Sequence, residues 1–238
     1  MAKPTSSVIS SVMGAVWIAT AALFLLAWRV WSLLPYRRRA KWSRLKARSA
    51  YENCSPAKSP PSGGTVSTMI VLGSGGHTSE MLKLTSSLSK DAYSPLCYVV
   101  ASTDHTSAER IPLADLRSGR CRVCTIPRSR EVGQSYLTSV YTTLVAGVYA
   151  ASIVVKTRPD LVLVNGPGTC IPVCAAAFAL RVMGIRPNSR TIFCESFCRV
   201  KSLSLSGRIM YLLADRFIVQ WPELLRKYPR AEYVGQLM

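Results

Sequence analysis

Acidic residues and histidines are scarce in this chain. Its 238 residues include 12 Asp and Glu and two His against 30 Lys and Arg, which gives a formal net charge of +18. Charged residues make up only 18% of the chain, whereas 49% of the residues are hydrophobic. So apolar a composition excludes a disordered chain. The chain is also long enough to bury a core without disulfides, which excludes a small disulfide-stapled fold.

The positive charge is concentrated at the N-terminal end. The first 60 residues hold ten basic side chains and a single acid, Glu52. No charged side chain occurs from Pro4 to Trp28, and the apolar run 8–27 can cross a hydrocarbon core about 30 Å thick at about 1.5 Å per residue. Eight basic residues and no acid follow between positions 29 and 48. The positive-inside rule therefore predicts one span with its C-terminal flank in the cytosol.

Two alternatives to this interpretation are weaker. A cleaved signal peptide carries its charge before the apolar core and a small-residue cleavage site after it, whereas here the charge follows. The basic run could bind RNA, but Trp28 and Trp31 are better placed at a membrane interface, so anionic lipid headgroups are the preferred partner. Residues 53–64 are rich in Pro, Ser and Gly and predict a linker. We therefore divide the chain into an anchor (1–34), a basic juxtamembrane segment with linker (35–64) and a domain (65–238).

The domain shows the alternation of a doubly wound α/β fold with a parallel sheet. Short apolar runs predict strands at residues 68–72, 96–101, 122–126, 161–164, 191–194 and 217–220. Helical segments lie at residues 79–89, 135–156, 171–183 and 206–214. The uncharged stretch 132–155 is long enough for a second span, but its Ser, Thr and Tyr content favours a core helix, with one face free to touch the bilayer.

The spacing of the eight cysteines resembles that of metal-binding pairs, but other features of the sequence argue against a metal site. Six of them are spaced as pairs, at 121/124, 170/174 and 194/198. Cys121 and Cys124 would point to opposite faces of one strand, and no His lies near any pair. We therefore expect free, mostly buried thiols in a cytosolic domain, and we predict no metal and no cofactor.

The strongest chemical signal is the sequence Met-Ile-Val-Leu-Gly-Ser-Gly-Gly-His-Thr-Ser-Glu at 69–80, a strand that runs into a glycine-rich turn before a helix. Glycines let a backbone approach an anion closely, and a helix N-terminus offers unpaired N–H groups. The turn matches neither a Walker A loop nor the dinucleotide fingerprint. His77 can accept a proton or bind phosphate, although a plain strand-to-helix turn remains the alternative. Thr78 or Ser79 is expected to cap the helix.

Two further loops follow predicted strands. The first loop precedes a helix and contains Asn165, Gly166, Pro167, Gly168 and Thr169. It is either a phosphate-binding or sugar-binding loop or a structural turn. The second begins with Glu195, whose carboxylate can orient a sugar hydroxyl or pair with Arg199 or Lys201. The carboxyl ends of parallel strands lie at one edge of the sheet, so both loops are expected near the glycine-rich turn that contains His77.

Together these segments resemble the membrane-anchored subunits of the bipartite N-acetylglucosaminyltransferase of dolichol-linked oligosaccharide synthesis. The resemblance rests on residues 73–80, 164–169 and 193–196 and on the tail 214–238, and the first loop is also similar to that of the bacterial enzyme that makes the lipid-linked peptidoglycan disaccharide. It implies the N-terminal half of a GT-B-type glycosyltransferase, with the UDP-sugar held by a separate soluble catalytic subunit. The implied reaction transfers GlcNAc from UDP-GlcNAc to GlcNAc-diphosphodolichol, with inversion, on the cytosolic face of the endoplasmic reticulum.

The resemblance also assigns roles to residues. It implies His77 and Glu195 as catalytic candidates. Acceptor and diphosphate binding fall to Gly73, Ser74, Gly75, Gly76, Thr78, Asn165, Gly166, Pro167, Gly168 and Thr169. Contact with the catalytic partner falls to the tail residues Tyr233, Val234, Gly235, Gln236, Leu237 and Met238, for which a frayed terminus is the alternative.

Three hypotheses follow. The chain contributes acceptor-binding residues to a shared active site, or it is a pure membrane scaffold that recruits a complete soluble transferase. The third, a membrane-linked nucleic-acid binder suggested by the charge of +18, ranks last because the domain shows no aromatic and basic recognition motif.

Overall fold

A computed structural model of the chain describes residues 6–35, 64–131, 133–166 and 168–237. The basic run after the anchor and nearly all of the predicted linker lie outside the described residues, as do Pro167 and Met238. The predicted division of the chain at residues 34 and 64 therefore stays a prediction.

Seven parallel strands form a single sheet with helices on both faces. The strands are β1 (Thr68–Val71), β2 (Leu96–Ala101), β3 (Cys121–Ile126), β4 (Leu161–Asn165), β5 (Arg190–Cys194), β6 (Arg216–Val219) and β7 (Glu232–Tyr233). The helices are α1 (Ser6–Leu33), α2 (Gly76–Ser86), α3 (His105–Glu109), α4 (Leu113–Arg117), α5 (Tyr136–Thr157), α6 (Cys170–Val182), α7 (Leu205–Leu213) and α8 (Leu224–Lys227). This is the predicted α/β architecture.

The sheet separates two apolar layers, and alternate residues of each strand enter opposite layers. In β1, Met69 and Val71 pack with residues of α5, α6 and α7, whereas Ile70 packs with Met81 of α2 on the other face. Residues of β1, β2 and nearly all of β4 are buried. Burial on both faces explains why these segments lack the alternation of polar and apolar residues that a half-exposed strand shows.

The strand order places the predicted loops at one position of the sheet. The order is β3-β2-β1-β4-β5-β6-β7, so the chain builds outward from β1 in one direction and then from β4 in the other. β1 and β4 are neighbours in register from Thr68 opposite Leu161 to Val71 opposite Val164. The crevice at the carboxyl ends of these strands is where open α/β sheets bind ligands.

The apolar N-terminal helix contacts the domain through its last turn. Its segment Ala15–Leu33 has a mean hydropathy of 1.6, is not buried, and is long enough to cross a membrane. Arg29 donates through Nε to the carbonyl oxygen of Val182. Arg181 donates through Nη2 to the carbonyl oxygen of Leu33 at 2.6 Å. The end of α1 is therefore fixed to the C-terminal end of α6.

The second helix that is long and apolar enough to span a membrane is α5, in its segment Leu137–Thr157. It packs as a layer helix, with Ala146 and Ala150 completely buried. Its other face is exposed, and Leu137 and Leu144 are 87% and 66% accessible. The stretch thus forms a core helix with an exposed apolar face.

Each predicted strand is present within one residue at either end. The predicted start of the first domain helix is wrong by three residues, because α2 begins at Gly76, with Gly75 at the N-cap and no side-chain capping bond. Gly75 has φ 64°, a conformation that glycine adopts without strain. The N-cap position is therefore taken by Gly75, and Thr78 and Ser79 lie within the helix. The unpredicted elements β7, α3, α4 and α8 have two to five residues each, too few for a periodic pattern.

We expect Asp215→Asn to lower the free energy of unfolding by about 3–5 kcal/mol, because it removes the negative charge paired with a buried guanidinium. Asp215 accepts two hydrogen bonds of 2.9 and 2.8 Å from Arg181, which is 3% exposed, and one of 3.0 Å from the N–H of Thr191. Thermal or urea unfolding of the full chain in detergent measures the change. The exposed control Asp91→Asn should change stability by less than about 0.5 kcal/mol, and equal effects for both variants would contradict the prediction.

Candidate functional site

The glycine-rich turn after β1 is held from inside the protein and open on its outer side. Ser74, Gly75 and Gly76 are exposed. Thr78, in contrast, is completely buried, and its hydroxyl contacts the carbonyl oxygen of Gly73 and lies 2.6 Å from the hydroxyl of Ser107. Thr78 therefore shapes the turn from within and does not face solvent.

The loop after β4 fits against His77. Gly166 has φ 58°, and a Cβ at this position would lie 2.4 Å from Cε1 and 2.5 Å from Nδ1 of His77. The imidazole thus occupies the space that a side chain on residue 166 would take. Asn165, completely buried at the end of β4, donates from Nδ2 to the carbonyl oxygen of His77 at 2.9 Å. Two loops that are distant in sequence are therefore joined around one ring.

Glu80 lies one turn after His77, and its two carboxylate oxygens contact three chain segments. Its Oε2 is 3.1 Å from Nδ1 of His77 and 3.2 Å from Nδ2 of Asn165. Its Oε1 accepts from the hydroxyl of Ser196 at 2.9 Å and from the N–H of Phe197 at 3.3 Å. The side chain is 15% exposed. This carboxylate links α2 with the loops after β4 and β5.

Glu195 is completely buried at the end of β5, and hydrogen bonds occupy both of its oxygens. Oε1 accepts from the N–H of Ser196 at 3.1 Å, and Oε2 accepts from the N–H and hydroxyl of Ser204 at 3.0 and 3.2 Å. Burial raises the pKa of this carboxyl, while the bonds from Ser204 and Ser196 and the charge of Arg199 oppose the rise. A Cβ on Gly207 would lie 2.1 Å from Oε2. These contacts indicate that Glu195 holds the loop 195–207 in place.

These residues border a cavity of about 420 Å³ at the carboxyl edge of the sheet. Its wall combines the start of α2, the loop after β4 and the segment between β5 and α7. The lining residues are Gly76, His77, Glu80, Gly166, Glu195, Ser196, Cys198, Arg199, Ser204, Leu205 and Ser206. His77 is one third exposed there. The cavity offers a proton acceptor, hydroxyl groups and a cation within one polar space.

A second, more apolar cavity of about 630 Å³ adjoins the first and shares Leu205 and Ser206 with it. It lies between α5, α6 and α7, and its lining includes the apolar Val140, Leu144 and Ile209 as well as the charged Arg130 and Glu131. Gly168 lines this second cavity instead of the first. A ligand with a polar head and an apolar chain could thus occupy both spaces continuously.

The tail of the chain returns to the same edge of the sheet. Gln220, completely buried after β6, accepts a hydrogen bond from the N–H of Leu237 at 3.0 Å and donates to the sulfur of Cys194 at 3.0 Å. Trp221 donates from Nε1 to the carbonyl oxygen of Phe197 at 2.6 Å. The tail is therefore tied to the loop after β5 that borders the cavity.

Two buried thiols near the cavity, those of Cys170 and Cys194, are unsuited to nucleophilic chemistry, whereas the thiol of Cys198 is exposed and lines the cavity. Burial raises the pKa of Cys170 and Cys194 to about 12, so both remain protonated at neutral pH. Among the residues that the structure describes, no cluster of three or more His, Cys, Asp or Glu could hold a metal. The cavity thus presents His77, two carboxylates, Arg199 and the thiol of Cys198.

The structure brings most predicted site residues together, with different exposures. His77, Gly76, Gly166 and Glu195 line the first cavity, Ser74 and Gly75 lie on the open turn, and Gly73, Asn165 and Thr169 are buried behind it. Pro167 lies outside the described residues. Sequence reasoning missed Glu80, Ser196 and Ser204. The spacing of three residues between His77 and Glu80 would have indicated a shared helix face had the helix been predicted to start at Gly76.

Comparison with known proteins finds consistent similarities. A family model described as "Oligosaccharide biosynthesis protein Alg14 like" matches residues 68–237. Curated proteins named UDP-N-acetylglucosamine transferase subunit ALG14 are similar to this chain. The one from Rattus norvegicus is 48% identical over 179 residues, covering 71% of this chain and 82% of the relative. The one from Homo sapiens is 45% identical over 183 residues, which cover 73% of this chain and 84% of the relative.

Among solved structures, MurG of Acinetobacter baumannii superposes with a TM-score of 0.48 at 15% sequence identity. The match covers 67% of this chain and 42% of that one.

We expect Gly166→Ala to displace the imidazole of His77, because the new methyl group would overlap the ring. Gly119→Ala is the matched control, since Gly119 also has a positive φ (66°) but has open space around its Cα. Both variants carry a backbone strain of roughly 1–2 kcal/mol, so any further loss of stability in Gly166→Ala reports the contact with His77. Unfolding measurements and the NMR signals of the histidine rings test this. Unchanged His77 signals in Gly166→Ala would contradict it.

Proposed function

The chain belongs to the Alg14 family of oligosaccharide biosynthesis proteins, and from this premise we propose that it is the membrane-anchored, acceptor-binding subunit of a two-component UDP-GlcNAc transferase. The reaction transfers GlcNAc from UDP-GlcNAc to GlcNAc-diphosphodolichol, with inversion, on the cytosolic face of the endoplasmic reticulum. A soluble catalytic partner holds UDP-GlcNAc, and this chain is inactive alone. The main support is the cavity in which His77, Glu80 and Gly166 meet.

The turn after β1 suits the diphosphate of the acceptor. Gly75 is the N-cap of α2 and offers no side-chain acceptor, so side-chain capping does not use up the first N–H groups of the helix. A Cβ on Gly75 or Gly76 would meet nothing within 4 Å, which means that the space over the turn is open. Backbone N–H groups and the positive end of the helix dipole attract phosphate. Arg199 adds a positive charge from across the cavity.

His77 is the proposed base toward the acceptor hydroxyl. Its ring borders the cavity and is held by Gly166 and Glu80, so little orientational freedom remains to be lost when the acceptor binds. Glu195, in contrast, has both oxygens occupied by protein hydrogen bonds. Of the two predicted catalytic residues, the geometry favours His77 for proton transfer and Glu195 for support of the cavity wall.

The exposed apolar surface of α5 and α7 suits a bilayer and the isoprenoid chain of the acceptor. Leu137, Tyr141 and Leu144 on α5 are exposed, as are Leu205 and Leu212 on α7. The more apolar second cavity lies between these helices and shares Leu205 and Ser206 with the first. Exposed apolar areas of this kind mark interaction sites on proteins. The anchor α1 joins the same helical layer through α6, so the membrane would meet this face of the domain.

The tail is the proposed docking site for the catalytic partner. Tyr233 and Val234 are 39% and 48% exposed, although they follow a well-packed region. The hydrogen bond between Gln220 and Leu237 directs the tail along the edge of the sheet that carries the cavity. A partner bound there would bring its donor site toward His77. Met238, which is assigned to the same contact, lies outside the described residues.

The alternative is a scaffold that only brings a complete transferase to the membrane. A scaffold needs the anchor and the tail, but it does not need a polar cavity with a constrained histidine. The cavity therefore favours the shared active site. An artificial membrane tether on the partner separates the two: it restores transfer in the absence of this chain under the scaffold hypothesis and fails to do so under ours.

We expect His77→Ala to reduce transfer by about 10²–10⁴-fold, the range typical of a lost acid-base group, while the partner still copurifies. His105→Ala is the matched control, because His105 is exposed at the start of α3 and does not line the cavity. The assay reconstitutes the full chain with UDP-GlcNAc and a lipid-diphosphate acceptor, first alone and then with the partner. Turnover by the chain alone, or full activity of His77→Ala with the partner, would refute the shared active site.

We expect Leu144→Lys to raise the KM for a long-chain polyisoprenyl acceptor about tenfold, because a charge would enter the apolar second cavity and face the membrane. The KM for a short-chain analogue should change little. Leu116→Lys is the control, since Leu116 is also exposed but lies on α4, near the opposite face of the sheet. Equal changes for both acceptors would argue against a lipid site between α5 and α7.

A further inference from the structure

We propose that Glu80 is a positioning residue that fixes the proton of neutral His77 on Nδ1 and so leaves the Nε2 lone pair as a hydrogen-bond acceptor. The use of that lone pair in catalysis rests on the proposed function, whereas the position of the proton does not. The argument starts from the hydrogen bonds that meet at Glu80.

The partners of Glu80 identify it as an acceptor. Nδ2 of Asn165, the hydroxyl of Ser196 and the N–H of Phe197 all approach its two oxygens within 3.3 Å. An amide NH2 and a backbone N–H only donate, and an ionised carboxylate only accepts. A glutamate is ordinarily ionised at neutral pH, and toward an ionised carboxylate the nitrogen of His77 that lies 3.1 Å from Oε2 supplies the proton. That nitrogen is Nδ1.

The ring of His77 is confined next to Glu80, with Nδ1 on the side of the carboxylate. Gly166 packs against one side of it, at distances that exclude even a methyl group. Asn165 bridges the carbonyl oxygen of His77 and Oε2 of Glu80 with a single NH2 group, at 2.9 and 3.2 Å. Both acceptors of this amide are oxygens that cannot donate, so the orientation of Asn165 is settled as well. The backbone of His77 and the carboxylate are therefore held in one fixed relation.

Other charged groups face the same cavity. Glu195 reaches it from the end of β5, and Arg199 from the loop that follows. Both oxygens of Glu195 are occupied by Ser196 and Ser204, and no hydrogen bond joins Glu195 or Arg199 to the His77 ring among the described residues. Glu80 is therefore the group that determines the tautomer.

A neutral ring with its proton on Nδ1 can perform one specific step. Nε2 takes the proton of the acceptor hydroxyl while that oxygen forms a bond to the anomeric carbon of the donor sugar. The bond between the anomeric carbon and the β-phosphate oxygen breaks, and UDP leaves with the electron pair. Glu80 stabilises the imidazolium that results, because the same carboxylate then faces a positive charge.

The direct test is a nitrogen NMR spectrum of the full chain labelled with 15N-histidine in nanodiscs. The chain has two histidines, and His105→Ala assigns their signals. At the alkaline end of a titration, where the ring is neutral, we expect Nδ1 of His77 to show the shift of a protonated nitrogen and Nε2 that of an unprotonated one. The opposite pattern in the wild-type chain overturns the proposal. This measurement needs no partner and no turnover.

The second arm compares Glu80→Gln with Glu109→Gln, an exposed glutamate on α3 that does not line the cavity. We expect Glu80→Gln to lose the Nδ1–H preference and to lower kcat about 10²-fold or more with little change in KM for the acceptor, because the proton is misplaced. Glu109→Gln should match the wild type in both measurements. A Glu80→Gln chain that keeps the wild-type tautomer and kcat overturns the proposal.

Glu80→Asp is the control for misfolding, which is a concern because Glu80 joins three segments of the chain. It keeps the charge, so we expect it to retain more of the Nδ1–H tautomer and of kcat than Glu80→Gln at a similar thermal midpoint. If the wild-type chain and partner catalyse no transfer, the proposed function fails while the spectrum still decides the tautomer.

Discussion

The carboxylate of Glu80 is the point on which the geometry of the cavity depends. It accepts hydrogen bonds from the loop after β4, from the loop after β5 and from the ring of His77 on its own helix. Without a common acceptor, these polar groups would each need another partner at a partly buried place. A single side chain thus joins two loops and the start of α2 into one wall of the cavity. The neighbouring strands β1, β4 and β5 bring the loops close enough for this to occur.

Two adjacent cavities border this wall. The polar cavity faces the carboxyl edge of the sheet, and the apolar cavity opens between α5 and α7 on one of its faces. Leu205 and Ser206 belong to both. The acceptor that we propose has the same division, with a sugar diphosphate at one end and a hydrocarbon chain at the other. The adjacency of the two spaces at Leu205 and Ser206 is what makes a single ligand of this kind a match for both.

Much of the fold was predictable from the sequence, because the central strands β1, β2 and β4 are buried on both faces and form apolar runs in the sequence. The loops 73–78 and 165–169 were likewise predictable as neighbours, since they follow strands of one parallel sheet. The roles of single residues were harder. Thr78 looked like a ligand contact, yet its hydroxyl points inward to Gly73 and Ser107. Glu80 was missed because the predicted helix began too late to include His77, and because its other partners Asn165 and Ser196 lie 85 and 116 residues away.

The junction between α1 and α6 has a consequence for how the protein searches for its substrate. Arg29 and Arg181 attach the end of the helix to the domain at two points, so the domain cannot swing freely on that helix. With α1 in the bilayer, as we propose, the cavity would stay at nearly constant height above the lipid surface. Encounters with a lipid-borne acceptor then become collisions within a thin layer, governed by lateral diffusion of two membrane-bound molecules. In such a layer even a weak intrinsic affinity gives high occupancy, because the effective concentration is high.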